Sequence, residues 1–166
     1  MKIRPAVVAD ADALAEVHVL GWQAAYRGMM PQEYLDGLSV ADRADGWRNW
    51  LTTIQPPQAI LVLDPGVAGF VTVGADDEEP GVGRVYAIYV RPGSWGQGRG
   101  QALMAAGVRQ LALPGLGFSE ATLWVLEANV RARRFYEAAG WFADGGMLVD
   151  ESRGFPLEEI RYRRRL

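Results

Sequence analysis

The segment Glu127-Ala128-Asn129-Val130-Arg131-Ala132-Arg133-Arg134-Phe135-Tyr136-Glu137-Ala138-Ala139-Gly140-Trp141 carries most of the decision about this chain. A β-rich run, Ala121 to Leu126, precedes it, and Asn129 to Ala139 reads as a helix. Gly140 ends that helix, because glycine takes the left-handed conformation after a helix at no steric cost. Trp141 to Val149 and Leu157 to Arg165 then read as two closing strands.

A second strand-to-helix junction lies upstream. Arg84 to Val90, rich in Val, Ile and Tyr, reads as a strand closed by Pro92-Gly93. A glycine-rich stretch, Gly93 to Gly100, leads into a helix with Leu103, Met104, Val108, Leu111 and Ala112 on one side, stopped by Pro114-Gly115. Gly96-Gln97-Gly98-Arg99-Gly100 therefore sits where a helix begins. The first backbone N–H groups of a helix lack internal partners, the helix dipole favours an anion there, and glycine lets a phosphate approach the backbone. Two nucleotide motifs fail. Gly93 and Gly98 have the P-loop spacing, but Arg99 and Gly100 stand where lysine and a magnesium-binding hydroxyl are needed. After Gly98 and Gly100, Leu103 stands where a dinucleotide fingerprint needs its third glycine. These residues alone fit an anion-binding loop and a flexible connection equally well.

The remaining chain supplies the frame. Ile3 to Pro5 is a short strand. Asp10 or Asp12 can cap a helix whose apolar positions are Leu14, Val17, Gly21, Trp22 and Ala25. Gly28 breaks it, and Pro31 opens a short segment to Leu38. Ser39, with Asp42 three residues on, starts a helix through Trp47, Trp50 and Leu51 that Pro56-Pro57 ends. Ala59 to Leu63 and Val67 to Val73 form two strands about the turn Asp64-Pro65-Gly66. Asp76 to Gly81 is a solvated acidic loop. The order βααβββαβαββ, with no repeat and no linker, predicts an α/β (α+β) chain around one sheet, residues 1–166 forming a single domain.

Composition narrows the chemistry. The 166 residues hold no cysteine, so thiol nucleophiles, disulfides and cysteine metal sites are excluded. A single histidine, His18, excludes a multi-histidine metal centre, so no metal is expected. It lies near the first helix's apolar stripe and reads as a partly buried, hydrogen-bonded core residue. Net charge is −3, which argues against nucleic acid despite the run Arg161-Tyr162-Arg163-Arg164-Arg165, better read as alternation on an outer strand. No apolar run approaches the roughly 20 residues of a membrane span, and the start Met1-Lys2-Ile3-Arg4-Pro5 lacks the apolar core of a signal peptide. A cytoplasmic protein is the expectation.

Taken together, the two junctions resemble the GNAT acetyltransferase superfamily. A Gly-x-Gly loop opens one helix, and about 30 residues later comes Asn-x-x-Ala-x-x-Phe-Tyr-Glu-x-x-Gly-Phe, matched by Asn129, Ala132, Phe135, Tyr136, Glu137 and Gly140, with Trp141 in the last place. Trp22 to Pro31 and Glu159-Ile160-Arg161-Tyr162 also look like one branch of that superfamily, so the resemblance covers nearly the whole chain. One position departs: Trp95 stands where the family's loop has Arg or Gln.

The resemblance implies a mixed, mainly antiparallel sheet flanked by helices, with splayed middle strands holding acetyl-CoA as co-substrate. Ile88 and Val90 would pair with its pantetheine arm, as an added strand would. The N–H groups of Gly96, Gln97, Gly98, Arg99, Gly100 and Gln101 would hold the pyrophosphate. Arg91 and Arg99 are phosphate partners or solvated charges with equal weight. Asn129 would cap its helix, asparagine being among the best N-caps, and touch the cofactor arm. Tyr136, two turns further on the same face, would protonate the leaving thiolate. Glu127 and Glu33 are the candidate bases, with ordered water and backbone carbonyls as the alternative. Trp22 and Tyr26, one turn apart, would line the acceptor pocket or, by the heavier reading, belong partly to the core, and Tyr86 would join the pocket if it rather than Tyr89 faces it, strand alternation allowing only one. The function implied is transfer of acetyl directly to a primary amine of a small molecule or peptide; related proteins often pair through sheet edges or C-terminal strands, which makes a homodimer one option and leaves the oligomer open. The alternative is a non-catalytic acyl-CoA-binding sensor or partner module.

Overall fold

The computed structural model describes residues 1–166. Its strands are β1 (Lys2–Pro5), β2 (Ala59–Asp64), β3 (Gly69–Ala75), β4 (Val82–Val90), β5 (Glu120–Leu126), β6 (Phe142–Asp150) and β7 (Leu157–Arg165). Its helices are α1 (Ala11–Ala25), α2 (Gln32–Asp36), α3 (Val40–Thr53), α4 (Arg99–Leu111) and α5 (Val130–Ala138). The short segment after Pro31 thus contains one helix, α2, that the expected order lacks. All seven strands fall within two residues of the expected runs.

The strands form one sheet in the order β1-β2-β3-β4-β5-β7-β6. Every neighbouring pair is antiparallel except β4 and β5. Helix α4 covers one face, where Leu103, Met104 and Leu111 pack against Val71, Val73 and Val85. Helices α1 and α3 cover the other, where Leu14, Val17 and Trp47 meet Ile60, Val62 and Phe70. Cover on both faces explains why β2 and β3 are apolar without alternation and almost wholly buried. Burying each such leucine contributes about 2 kcal/mol.

Three details of the middle and end of the sheet position the site. First, β4 and β5 pair only over Val82–Arg84 against Glu120–Thr122 and then separate. Second, Thr72 pairs with Ala87 and Val73 with Val85, so Tyr86 is an extra, bulged residue. The bulge corrects the expected alternation: Tyr86 meets Trp50 while Tyr89 meets His18 and Phe70, so both rings lie on the α1–α3 face. Third, the hairpin of β6 and β7 folds back so that β7, not β6, lies beside β5.

Local signals fare unevenly. Ser39 caps α3, its Oγ accepting from Asp42 N at 3.2 Å. Asp10 precedes α1 but makes no cap hydrogen bond to it. Its carboxylate instead accepts from Val7 N and pairs with Arg4 at 2.8 Å, closing the preceding turn. The acidic loop is only partly solvated, because Glu79 pairs with Arg163 and Asp76 accepts from Thr122 Oγ1. No helix is long and apolar enough to cross a membrane.

Candidate functional site

Where β4 and β5 part, the gap is flanked by the N-termini of α4 and α5. It opens into a cavity of about 430 Å³, lined by Ile88, Tyr89 and Val90 from β4, by Gly96, Gly98, Arg99, Gly100 and Gln101 from the glycine loop, and by Asn129 and Tyr136 from the second junction.

The glycine loop makes the first wall. Gly96 and Gly98 both have φ of 75°, a conformation that favours glycine. Gly98 precedes α4 and offers no side-chain cap. The first N–H to bond back is that of Ala102, to Gly98 O at 3.1 Å. The N–H groups of Arg99, Gly100 and Gln101 come before it and are left over by the helix. With the α4 dipole behind them they suit an anion. A Cβ at Gly100 would stand 3.2 Å from the Phe135 ring, so glycine there also lets α4 and α5 approach.

The strand β4 makes the second wall. Arg91 N–H donates to Ala68 O at 2.9 Å, toward β3. By the two-residue period, Ile88 and Val90 turn their backbone groups to the open edge. Val90 O accepts there from Trp95 Nε1 at 2.9 Å. The Trp95 ring lies under the Arg131 guanidinium at 3.6 Å.

Helix α5 makes the third wall. Asn129 Oδ1 accepts from Ala132 N at 3.1 Å, so this helix is capped by its own side chain. Tyr136 lines the cavity two turns on. Burial, and then the nearby Tyr26 phenol, push the Tyr136 phenol well above its ordinary range. It therefore stays protonated at neutral pH and can donate a proton. Tyr26 and Tyr89 share a 2.8 Å hydroxyl hydrogen bond next to it, and burial raises Tyr89 as well.

The structure thus brings Ile88, Val90, Gly96, Gly98, Arg99, Gly100, Gln101, Asn129 and Tyr136 to one cavity, and sets other expected residues apart. Arg91 donates to Glu16 at 2.7 Å and to Val67 O, away from the gap. Arg99 lines the cavity while donating to Ser94 Oγ at 2.7 Å. Gln97 is not among the lining residues. Glu127 is exposed beside Met29 and Arg133 in a separate hollow, and Glu33 is exposed on α2. Trp22 is buried in a small core with Met30, Leu35, Leu126 and Leu157. Tyr86 donates to Ala75 O at 2.6 Å and faces a different cavity, shared with His18, Arg43 and Trp50. His18 sits among Trp22, Trp47, Phe70 and Tyr89, where burial and then the Arg43 charge lower it to about 3, so it is neutral and outside the gap.

Sequence reasoning missed the roles of Tyr89, Trp95 and Arg131 in the walls. Tyr89 became legible only through the bulge, and Trp95 with Arg131 only through the approach of the two junctions.

Comparison with known proteins agrees with this geometry. The sequence profile of the Acetyltransferase (GNAT) family matches residues 16–141. An uncharacterized N-acetyltransferase of Bacillus subtilis, YuaI, is 31% identical over 132 residues, covering 76% of this chain and 72% of that protein. The mycothiol acetyltransferase of Kocuria rhizophila is 41% identical over 94 residues, but these span 52% of this chain and only 30% of that protein. Among solved structures, the PaiA N-acetyltransferase of Thermoplasma acidophilum in complex with coenzyme A has a TM-score of 0.76 at 17% identity, covering 99% of this chain and 98% of that one. YncA of Salmonella typhimurium, a putative acetyltransferase solved with acetyl-CoA, has a TM-score of 0.71 at 18% identity, covering 100% and 94%. At these identities the structural likeness speaks to the fold.

Proposed function

The chain belongs to the GNAT acetyltransferase family and is an N-acetyltransferase; we propose that it moves the acetyl group of acetyl-CoA directly to a primary amine of a small molecule or peptide, in the cytoplasm. The observation that carries this reading is the uncapped start of α4 at the mouth of the β4–β5 gap. Arg99, Gly100 and Gln101 would hold the pyrophosphate through backbone N–H groups. Ile88 and Val90 would pair with the pantetheine arm along the open edge of β4. The residues present therefore fit the cofactor.

When bound, acetyl-CoA supplies an activated thioester carbonyl. The chain's own groups do the rest. Tyr136, a neutral phenol in the wall of the gap, gives its proton to the sulfur as the C–S bond breaks and the new C–N bond forms. Its phenolate then recovers a proton from the acylated nitrogen. The absence of cysteine excludes an acetyl-cysteine intermediate, which supports direct transfer. Glu127 and Glu33 are exposed outside the gap, so neither serves as base in this reading.

The test is an assay of thiol release from acetyl-CoA against a broad amine panel. Release with one amine class, and N-acetylated product by mass spectrometry, is the expected result. No release across the panel, with CoA still bound, would remove the proposed acceptor.

We also propose a homodimer through β6. This edge strand carries an open backbone and the exposed side chains Phe142, Met147 and Val149. A doubled mass in light scattering, reduced to one chain by Met147→Lys, is expected.

A further inference from the structure

The reading above leaves the acceptor's ammonium without a partner, and Glu159 is an unpaired carboxylate on the strand beside β5. On β7, Ile160 and Tyr162 pack into the α4 side of the sheet. Leu157 packs on the other face, with Trp22, Met30 and Leu126. By strand alternation Glu159 shares the face of Leu157. It pairs across the sheet with Leu126, the last residue of β5, beyond the point where β4 leaves. Glu159 therefore sits at the open end of the gap, opposite the face covered by α4.

Its surroundings are specific. Tyr26 packs on the same small core as Leu126 and Leu157, and its hydroxyl bonds Tyr89, which lines the cavity with Tyr136. The Tyr26 phenol is raised by burial and, against its bond to Tyr89, by the charge of Glu159. Tyr26 thus neighbours both Glu159 and, through Tyr89, the wall of the gap. The Glu159 side chain is half-buried, yet it makes no hydrogen bond and no ion pair, although Arg153 and Arg84 are near enough to act on it. Those arginines are engaged elsewhere, with Asp150 and Asp77. Other shielded carboxylates of the chain, at Asp10 and Asp144, are paired with arginine. Half-buried and without a protein partner, the Glu159 carboxylate is open to solvent and to a cationic ligand.

We propose that Glu159 receives the ammonium group of the acceptor and takes its first proton, delivering a neutral amine past Tyr26 and Tyr89 to the gap. This rests on the acetyltransferase reading. The proton balance is simple: the ammonium loses one proton to the Glu159 carboxylate, the freed nitrogen lone pair forms the C–N bond, and the carboxylic acid later releases its proton to solvent. Burial, and then the Asp150 charge, raise Glu159, while Arg153 and Arg84 oppose the rise. Tyr26 also neighbours it, and Arg161, two residues on along the same face of β7, is engaged by Asp144. A raised carboxylate accepts the proton more readily.

Two arms test the proposal. In the kinetic arm, the best acceptor from a panel of amino-acid amides, monoamines and diamines is compared in wild type and Glu159→Gln. The amine KM should rise at least tenfold, with the acetyl-CoA KM changed less than twofold and the melting temperature retained. The acidic limb of kcat/KM for the amine should disappear, and Glu159→Asp should restore part of it. An unchanged amine KM with an intact acidic limb overturns the proposal. The binding arm needs no turnover: hexylamine and 1-hexanol are titrated calorimetrically into the CoA-loaded protein. Tighter binding of hexylamine in wild type, lost in Glu159→Gln, supports the proposal. Equal affinity in wild type overturns it. A panel without thiol release but with hexylamine preference would count against the catalytic reading and leave Glu159 as an ammonium site.

Discussion

The two strand-to-helix junctions at the gap solve the same physical problem in opposite ways. Each helix begins with backbone N–H groups that its own turns cannot satisfy. After β5, Asn129 fills that need with its side chain, accepting from Ala132 N at 3.1 Å. After β4, Gly98 has no side chain to offer, and the N–H groups of Arg99, Gly100 and Gln101 stay available. The capped helix is a finished structural element, and it carries Tyr136, the phenol proposed to react, toward the cavity. The uncapped helix leaves its first N–H groups open to solvent or an anion. Binding and chemistry are thereby assigned to different helices, and substitutions at the two junctions should separate them.

The largest expected effect lies on the capped helix. Tyr136→Phe keeps the ring and its packing against Phe135 and Tyr162 but removes the proton. A positioned acid is worth about 100-fold or more, so kcat should fall by that much while CoA affinity stays within about twofold. Steady-state kinetics with calorimetric CoA binding check this. Loss of binding and turnover together would place Tyr136 in the frame rather than the chemistry.

The next effect lies at the uncapped helix. Gly98→Asp sets a carboxylate beside the free N–H groups and makes this junction resemble its neighbour. No atom lies within 4 Å of an added Cβ, although the φ of 75° strains any residue with a side chain. The acetyl-CoA KM should rise about tenfold, matching roughly 1.4 kcal/mol of lost anion attraction, with kcat little changed. An unchanged KM would mean that the α4 N-terminus does not hold the phosphates.

This division also marks what the sequence could reveal. Both junctions are local, so turn chemistry places Gly96 to Gly100 and Asn129 at helix starts, the family resemblance gives them and Tyr136 their roles, and β-rich runs give the strands. The residues that escaped depend on long-range geometry. Tyr86 and Tyr89 appeared to alternate because nothing in Arg84 to Val90 announces the bulge, which arises from the register with β3. Glu127 and Glu33 looked suitable by proximity in the chain, yet both face solvent. Glu159 was visible only in a closing strand whose ending resembles the family, with no role attached to it. Its position across from Leu126 comes from β7 lying between β5 and β6, a non-sequential order that no local pattern encodes.

A smaller effect should separate the two duties assigned to Asn129. Asn129→Ala removes the cap and should cost about 1 kcal/mol, a fall of roughly 2–4 °C in melting temperature for a chain of this size. Asn129→Asp keeps the accepting oxygen and should retain that stability, while its charge at the mouth of the gap raises the acetyl-CoA KM a few-fold. Thermal unfolding and steady-state kinetics on the pair check both halves. Equal KM values in all three proteins would leave Asn129 a cap alone.

The smallest effect concerns the residue that joins the junctions. Trp95 belongs to the glycine loop, stacks under Arg131 of α5, and donates its indole N–H to Val90 O. That carbonyl lies on the edge of β4 assigned to the pantetheine arm, so indole and cofactor compete for one acceptor. Trp95→Phe keeps an aromatic surface for Arg131 and frees the carbonyl. A neutral hydrogen bond is worth about 1 kcal/mol net, so the acetyl-CoA KM should fall by up to about fivefold. Trp95→Ala also removes the stacking surface between α4 and α5, and its KM should rise instead. Opposite shifts in the two variants would identify the indole N–H as a competitor and the ring as a support. A rise in both would mean that the hydrogen bond holds the loop in its binding conformation, making the two junctions one structural unit.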